Sequence, residues 1–169
     1  MPYSADQFDI QFMEDFKKNY TWSIVLDVWP GAWKVQRLIW YDCSSIDCVE
    51  VYEPYIDQFW LKQKYNTVFL QNIETFTDFR FYDVVVLGDV LEHLEVESAQ
   101  SLIEKISQHC KCVYVQIPYN CVQWVWEWNP YEEHKQDDLT HEVFMDRYPW
   151  FELIARDWQI GLYKKVFNH

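Results

Sequence analysis

Five short segments of the chain are apolar almost throughout and are rich in β-branched and aromatic residues. A half-exposed strand alternates polar and apolar side chains, whereas a strand covered on both faces is continuously apolar. Continuous strands are typical of parallel sheets with helices on both sides. We therefore expect a buried parallel sheet. The predicted strands are residues 23–28, 47–52, 66–70, 82–88 and 111–117.

Segments with helical periodicity separate these strands. In residues 96–110, Leu102, Ile103 and Ile106 form an apolar stripe on one helix face. Alternation of strand and helix predicts an α/β fold in which right-handed crossovers join parallel strands. The other helices predicted in this region are residues 33–39 and 54–63.

The two ends of the chain follow other patterns. Residues 1–21 predict a leading helix, because phenylalanine recurs there at helical spacing. Residues 141–148 predict a further helix, and residues 151–158 and 160–167 predict a closing hairpin. The recurring side chains of the leading helix are Phe8, Phe12 and Phe16.

Charge and composition exclude several classes of partner. The chain has 14 basic and 27 acidic residues, for a net charge of −13, and such a surface repels phosphate backbones and anionic lipids. We expect no nucleic-acid partner and no membrane association. No signal peptide or membrane span is recognisable, so we expect a cytoplasmic protein. The five cysteines are expected to be reduced thiols.

The turn after the first predicted strand has the sequence D-V-W-P-G-A-W, from Asp27 to Trp33. In a doubly wound sheet, ligands bind beyond the carboxyl ends of the strands, beside this first turn. Glycine at positions 29 and 33 would give a loop whose bare backbone approaches a ligand closely. An acidic residue about 20 positions further on is then expected to hold ribose hydroxyls. Glu50 and Glu53 are candidates, and Glu50 is favoured because it directly follows an apolar run.

Glycine is rare in this chain and tryptophan is abundant. The sequence has 3 glycines and 10 tryptophans. About 12 glycines are expected at average usage of about 7%. We infer that tryptophan stands where turns need glycine, and that UGA codons meaning glycine were translated as tryptophan. If the tryptophans in the loop are genuine, cofactor binding is weakened or lost. The suspected positions are Trp29, Trp33, Trp124, Trp128 and Trp150.

Five stretches of residues 22–120 resemble, in order and spacing, the class I S-adenosylmethionine-dependent methyltransferases. They are DVWPGAW, VEVYEPY, FLQNIE, YDVVVLGDVLEHL and VYVQIPYN. The resemblance implies a Rossmann-like, doubly wound, mostly parallel sheet of seven strands, with one antiparallel strand and helices on both faces. It also implies S-adenosylmethionine as the cofactor. We expect one methyltransferase-like domain over residues 1–169, with a leading helix (1–21), a cofactor-binding core (22–120) and an acceptor-side segment with closing strands (121–169).

The resemblance assigns roles to individual residues. Asp27 and Gly31 lie by the methionine part of the cofactor, Glu50 holds the ribose, and Asp89 faces the methyl group and the acceptor. An N-P-Y-E-x-H segment, here residues 129–134, folds over the pocket. The full cofactor-binding set is Asp27, Trp29, Gly31, Trp33, Glu50, Val51, Asn72, Ile73 and Asp89, with Asn72 and Ile73 framing the adenine.

Methyl transfer needs little catalytic machinery, because the sulfonium already activates the methyl group and the protein mainly aligns the reactants. A base still assists an acceptor hydroxyl or amine. Asp89 and His93 are the predicted catalytic residues, with Glu92, His134 and His141 as further candidates. Several aromatic residues either line an acceptor pocket or simply pack. They are Tyr119, Trp124, Trp126, Trp128 and Tyr131.

No metal site is expected from the sequence. Cys110 and Cys112 lack a second pair at zinc-finger spacing. Other potential ligands lie in an acidic segment without recognisable ligand spacing. These are Glu133, His134, His141 and Glu142.

The sequence leaves three functions open. The first is methyl transfer to a small molecule, sugar or lipid precursor. The second is an inactive methyltransferase-like scaffold or interaction module, favoured if Trp29 and Trp33 block the loop. The third is a nicotinamide oxidoreductase, since a Rossmann loop alone allows it. GDVLEHL and the N-P-Y segment favour methyl transfer over the third. The acceptor and the oligomeric state stay open.

Overall fold

A computed structural model describes residues 6–125 and 129–168. Its centre is a seven-stranded sheet with the strand order β3-β2-β1-β4-β5-β7-β6. The fold predicted from the apolar segments and the family resemblance is confirmed. The strands are β1 Ile24–Val28, β2 Ser45–Glu50, β3 Val68–Leu70, β4 Val84–Gly88, β5 Cys112–Pro118, β6 Glu152–Arg156 and β7 Ile160–Val166.

Strand direction follows the prediction as well. β1 pairs in parallel with both β2 and β4, and the parallel pairing continues from β2 to β3 and from β4 to β5. β7 runs antiparallel to both of its neighbours, β5 and β6. It is therefore the one antiparallel strand of the sheet. From β1 the chain adds β2 and β3 on one side of the sheet and then returns to add β4 and β5 on the other side. At such a switch point the connections leave β1 and β4 in opposite directions, and a crevice forms at the carboxyl ends of these strands.

Helices cover both faces of the sheet. Successive strand residues alternate between two apolar cores: Val25 faces the core built with α1 to α4, and Leu26 faces the core built with α5 and α6. Both side chains are fully buried. This two-sided burial explains why the strands are continuously apolar. The helices are α1 Asp9–Asn19, α2 Lys34–Ile39, α3 Glu53–Gln58, α4 Leu61–Lys64, α5 Val96–Ser107 and α6 His141–Arg147.

The leading helix and the closing hairpin are present. α1 buries Phe12 and Phe16, while Phe8 packs at the margin of the same core. The hairpin turn between β6 and β7 is closed by Asp157, whose Oδ1 accepts hydrogen bonds from the backbone N–H groups of Gln159 and Ile160, at 2.7 and 2.9 Å.

One predicted helix is divided in two. Residues 54–63 were expected to be continuous, but α3 and α4 are separated at Trp60, where φ is 52°. A left-handed residue cannot continue a right-handed helix. The chain therefore breaks at this position and restarts as α4.

A polar network ties α1 to the far half of the sheet. The Asp15 carboxylate accepts hydrogen bonds from the Tyr114 hydroxyl of β5, at 2.5 Å, and from Lys164 Nζ of β7, at 2.8 and 2.9 Å. Tyr114 is fully buried and Lys164 is 9% exposed. The leading helix is therefore held to two strands by charge as well as by its phenylalanines.

No helix in the described part of the chain is long and apolar enough to cross a membrane. All five cysteines are free thiols, and four of them are buried. Burial raises the pKa of Cys110 and Cys112 to about 12, so these thiols stay protonated and unreactive at neutral pH.

Candidate functional site

The carboxyl ends of β1, β2 and β4 bring the predicted site residues to one edge of the sheet. Trp29 follows β1, and its N–H donates to the Val49 carbonyl of β2, at 2.8 Å. Asp89 follows β4, and its N–H donates to the Gln116 carbonyl of β5, at 2.9 Å. Glu50 ends β2. The turn after β1 and the turn after β4 are thus fixed to neighbouring strands.

Asp27 is a buried residue of β1, and its side chain is hydrogen-bonded within the protein. Its carboxylate is 1% exposed and accepts a hydrogen bond from the Tyr65 hydroxyl at 2.6 Å. Burial raises the pKa of Asp27 to about 7. Its contact with the methionine part of a cofactor stays a prediction.

The turn from 29 to 33 has the backbone of a glycine loop. φ is 53° at Trp29, 47° at Gly31 and 52° at Trp33. The Trp33 N–H closes the turn on the Pro30 carbonyl at 2.8 Å, and α2 begins directly afterwards. A bulky residue in the left-handed region carries strain of about 1–3 kcal/mol. The structure thus puts two tryptophans where the loop needs glycine.

Left-handed backbone coincides with tryptophan elsewhere too. Within residues 6–125 and 129–168, six non-glycine residues have positive φ, and four are tryptophans. The other two are Asp89 and Asn120, which are residue types that adopt this region more readily. Sequence inspection missed two of the four because they lie outside any motif. The four tryptophans are Trp22, Trp29, Trp33 and Trp60.

The backbone does not single out the other suspected positions in the same way. Trp124 and Trp150 are not among the residues with positive φ. Trp126 and Trp128 lie outside the described residues. At Trp29 and Trp33, the inference that the natural residue is glycine therefore rests on the backbone φ angle. At Trp124 and Trp150 it rests on the sequence pattern alone.

The Trp29 side chain reaches across the crevice. Its indole contacts the His93 imidazole, with ring centroids 5.3 Å apart. The indole Nε1 is buried, and no hydrogen-bond partner is found for it among the described residues. Trp29 therefore occupies space between the turn after β1 and the turn after β4.

Glu50 presents a buried acceptor that the protein leaves unused. The side chain is 2% exposed, and its Oε1 accepts a hydrogen bond from the Tyr52 N–H at 2.7 Å. Its Oε2 has no hydrogen-bond partner among the described residues. Burial raises the pKa of Glu50 to about 7. Glu53 is exposed in the first turn of α3.

The predicted adenine contacts lie after β3. Asn72 caps the 3-10 turn Ile73–Thr75: its Oδ1 accepts from the Glu74 N–H at 2.9 Å, and its Nδ2 donates to the Glu74 carboxylate at 3.1 Å. Ile73 is fully buried and Val51 is partly buried. The Asn72 amide is thus already bonded within its own turn.

The acceptor-side segment lies on the turn that follows β4. The N–H groups of Lys135 and Gln136 donate to the Glu92 carbonyl, at 2.7 and 3.0 Å. The Gln136 side chain donates to the Leu91 carbonyl at 2.8 Å. These bonds attach the end of the N-P-Y-E-x-H stretch to the 3-10 turn Leu91–His93.

Glu132 is a residue that sequence inspection missed. It is buried, and its carboxylate accepts hydrogen bonds from the Tyr55 hydroxyl at 2.9 Å and from Gln123 Nε2 at 3.0 Å. These contacts link α3 to the acceptor-side segment. The acidic run suggested a solvated surface, and only the Asn129-Pro130 pair, which begins a 3-10 turn, marked the segment as structured.

Three potential metal ligands converge beside this turn. Ligand atoms of Glu92, His93 and His134 all lie within 4.8 Å of one another. The His93 Nδ1 lies 3.2 Å from the Glu133 carbonyl, and the His134 Nδ1 lies 2.6 Å from the Cys121 carbonyl. Burial lowers the pKa of His93 to about 4 and also lowers the pKa of His134. Both rings are therefore neutral at pH 7.

This grouping differs from the one suggested by sequence order. His141 is bonded through Nδ1 to the Tyr163 hydroxyl at 3.0 Å. Glu142 is exposed and pairs with Arg156 at 3.5 Å. The metal-ligand cluster thus combines His134 with residues 92 and 93, which are distant in sequence.

The described aromatic residues of the acceptor side differ in their burial. Trp124 is 75% exposed and Tyr131 is 41% exposed. The Tyr119 hydroxyl bonds to the Tyr163 hydroxyl. An acceptor-binding role for these residues stays a prediction.

No protein-family model matches the chain. Its fold is similar to a methyltransferase from Clostridium acetobutylicum ATCC 824 that depends on S-adenosylmethionine, with a TM-score of 0.73 and 11% identity, covering 98% of this chain and 93% of that one. The N-methyltransferase NodS from Bradyrhizobium japonicum WM9, in complex with S-adenosyl-L-homocysteine, has a TM-score of 0.69 and 10% identity, covering 97% and 87%.

A further similar structure is magnesium protoporphyrin IX methyltransferase from Synechocystis PCC 6803 with bound S-adenosylmethionine. Its TM-score is 0.62 and its identity 14%, covering 96% of this chain and 79% of that one. Likeness at this identity concerns the fold. The chain therefore has the fold of S-adenosylmethionine-dependent methyltransferases.

Proposed function

We propose that the natural form of this protein transfers a methyl group from S-adenosylmethionine to a small-molecule acceptor. The observation that carries the proposal is the buried Oε2 of Glu50, which lacks a hydrogen-bond partner among the described residues at the carboxyl end of β2. A buried carboxylate oxygen calls for a donor. The ribose hydroxyls of a nucleoside cofactor supply two donors, and similar folds are crystallised with this cofactor or its product.

The cofactor supplies an electrophilic methyl group on a sulfonium sulfur. Glu50 would hold the ribose, and the turn containing Gly31 would lie along the methionine part. Asp27 would complete the methionine side, and Asp89 would lie between the cofactor and the acceptor. Contacts with the adenine are assigned to Val51, Asn72 and Ile73.

The acceptor is assigned to the side of the turn after β4. The His93 Nδ1 donates a hydrogen bond to the Glu133 carbonyl, so the lone pair of the ring is on Nε2, where it can accept a proton from an acceptor. Asp89 and His93 are the groups that orient an acceptor and receive its proton. The hydrogen bonds of residues 135 and 136 to Glu92 hold the acceptor-side segment over this turn and limit the access of water.

A net charge of −13 disfavours a nucleic-acid acceptor. The acceptor class we propose is a small molecule, such as a sugar or a lipid precursor, methylated in the cytoplasm. Buried, unreactive cysteines agree with a reducing compartment.

The loop as written does not fit the cofactor. The Trp29 indole reaches across the crevice to His93, and the Trp33 ring, at the start of α2, lies under Lys64 Nζ at 4.1 Å. Glycine at both positions removes the rings and relieves the left-handed strain. The natural protein therefore has glycine there, and the tryptophans result from UGA codons translated as tryptophan. UGA codons at 22, 29, 33 and 60 support this account, whereas UGG codons contradict it.

A second candidate function has one observation in its favour. The Trp29 indole packs against His93, and the turn that contains Trp29 is closed by ordinary backbone hydrogen bonds. If the tryptophans are encoded by UGG, the chain is an inactive scaffold or interaction module with a filled crevice.

The test is isothermal titration of a chain carrying Trp29→Gly and Trp33→Gly. We expect S-adenosylmethionine to bind and NADH not to bind. In this background, Glu50→Ala should weaken S-adenosylmethionine binding by at least about tenfold, because hydrogen bonds to a charged group contribute about 1.5–3 kcal/mol each. Glu53→Ala, an exposed neighbour, is the matched control. The reverse order would move the ribose contact to Glu53, and NADH binding would favour an oxidoreductase.

A further inference from the structure

We propose that Glu92, His93 and His134 form a binding site for one divalent transition-metal ion. Their ligand atoms all lie within 4.8 Å of one another although the residues come from two separate segments. This proposal replaces the expectation of no metal, which rested on sequence spacing alone.

One nitrogen of each imidazole is fixed by a backbone carbonyl. Each Nδ1 lies against a backbone carbonyl, of Glu133 for His93 and of Cys121 for His134. A carbonyl only accepts hydrogen bonds, so each Nδ1 carries the proton. The lone pair is then on Nε2 in both rings. Metal-binding histidines are typically fixed in this way by a second hydrogen bond.

Glu92 would supply the negative charge on losing its proton to a bound ion, because burial and the nearby Asp89 carboxylate raise its pKa well above the usual range. Its side chain is 1% exposed, and neither carboxylate oxygen has a hydrogen-bond partner among the described residues. Burying an unpaired carboxylate costs several kcal/mol, and a bound cation offsets that cost. The backbone of Glu92 is fixed, because its carbonyl accepts hydrogen bonds from the N–H groups of Lys135 and Gln136.

The geometry is close to that of a bound state. Ligand atoms at about 2.1 Å from one shared ion lie about 3–4 Å apart. Because the ligand atoms here lie up to 4.8 Å apart, the cluster has to contract by up to about 1–2 Å around an ion, through side-chain rotation. The His93 and His134 rings are nearly perpendicular, at 84°, with centroids 4.6 Å apart.

The ligand types indicate which ions fit. Two imidazole nitrogens and one carboxylate favour zinc, manganese, iron or cobalt over magnesium and calcium, which prefer oxygen ligands. Three protein ligands leave at least one coordination position open.

The site lies beside the proposed reaction centre, because His93 ends the turn after β4 and touches the Trp29 ring. An ion there would bind an acceptor oxygen and lower its pKa. While the His93 Nε2 holds the ion, Asp89 would be the group that receives the acceptor proton. This role rests on the proposed function. The binding of the ion itself does not depend on it.

The experiment is titration of the whole chain with Co²⁺, followed by visible d–d absorption and by calorimetry. We expect one Co²⁺ per chain, displaced by Zn²⁺. Glu92→Gln and His134→Ala should each weaken Co²⁺ binding by at least about tenfold. His109→Ala, at an exposed histidine two residues after α5, is the matched control and should leave binding unchanged. Circular dichroism establishes that each variant is folded.

Absence of Co²⁺ binding by the folded, unsubstituted chain would overturn the proposal. So would binding that Glu92→Gln and His134→Ala leave intact, or thiolate charge-transfer bands, which would assign the ion to cysteine. A separate titration with S-adenosylmethionine keeps the two proposals distinct, since failure of cofactor binding leaves the cobalt result unaffected.

Discussion

The indole of Trp29 lies against the imidazole of His93, with ring centroids 5.3 Å apart and an angle of 61° between the planes. Trp29 follows β1, and His93 lies in the turn after the adjacent strand β4. The contact therefore spans the crevice in which ligands of doubly wound sheets bind. The Trp29 side chain thus lies where a ligand of such a sheet would pass.

The first prediction concerns backbone strain at two exposed tryptophans that lie outside the proposed cofactor loop. Trp22 and Trp60 are 71% and 60% exposed, so glycine there loses little packing. Their φ values are 67° and 52°. Trp22→Gly and Trp60→Gly should each raise the free energy of unfolding by about 1 kcal/mol, because the relieved strain of about 1–3 kcal/mol exceeds the entropic cost of glycine. Urea denaturation measures this.

Trp40 provides a control of opposite sign. It is also exposed, at 41%, but its φ is −49°. Trp40→Gly should lower the free energy of unfolding by about 1 kcal/mol, since glycine has no advantage in right-handed backbone. Equal destabilisation by all three substitutions would refute the strain argument.

The second prediction concerns pH. Burial, aided by the nearby carboxylates of Glu132 and Asp27, raises the pKa of Glu50 from 4.5 to about 7, although the backbone hydrogen bonds it accepts lower the pKa in part. The folded state therefore binds more protons than the unfolded state between these values. The free energy of unfolding should fall as pH rises from about 4.5 to 7, by about 3 kcal/mol from this residue.

Glu50→Gln should remove that part of the pH dependence. A smaller decline should remain, because the pKa of Asp27 is also raised to about 7 by burial. Glu53→Gln, at an exposed position, should leave the profile unchanged. Chemical denaturation at several pH values measures all three proteins, and a flat profile for the unsubstituted chain would contradict the prediction.

The third prediction concerns the attachment of α1. Asp15→Ala leaves Lys164 nearly buried and without the carboxylate that it contacts at 2.8 Å. The free energy of unfolding should fall by about 3 kcal/mol, as is typical when one partner of a buried ion pair is removed. Glu14→Ala, its exposed neighbour, should change it by less than about 0.5 kcal/mol. Similar effects of both substitutions would mean that the phenylalanines alone hold the helix.

The strands could be predicted because a strand that is buried on both faces is continuously apolar, and this pattern is visible in the sequence. The break between α3 and α4 could not, because it depends on left-handed backbone at Trp60, and tryptophan does not signal such a turn. A glycine at that position would have signalled a helix end.

The acceptor side was harder to predict than the cofactor side. Glu50 is the last residue of its strand, so its place at the sheet edge follows from the strand itself. Glu132 and His134 are positioned by hydrogen bonds to residues distant in sequence, namely Tyr55 and the carbonyl of Cys121. Local pattern carries no information about such partners.

The most direct test of a cofactor site at this sheet edge is isothermal titration of S-adenosylmethionine into three folded proteins: the chain as written, its Trp29→Gly/Trp33→Gly variant and its Trp22→Gly variant. Trp22 precedes β1, so its substitution relieves strain without opening the crevice. We predict one cofactor bound per chain for the double variant and little or no binding for the other two. Failure of the folded double variant to bind, or equally tight binding by the chain as written, would contradict the account.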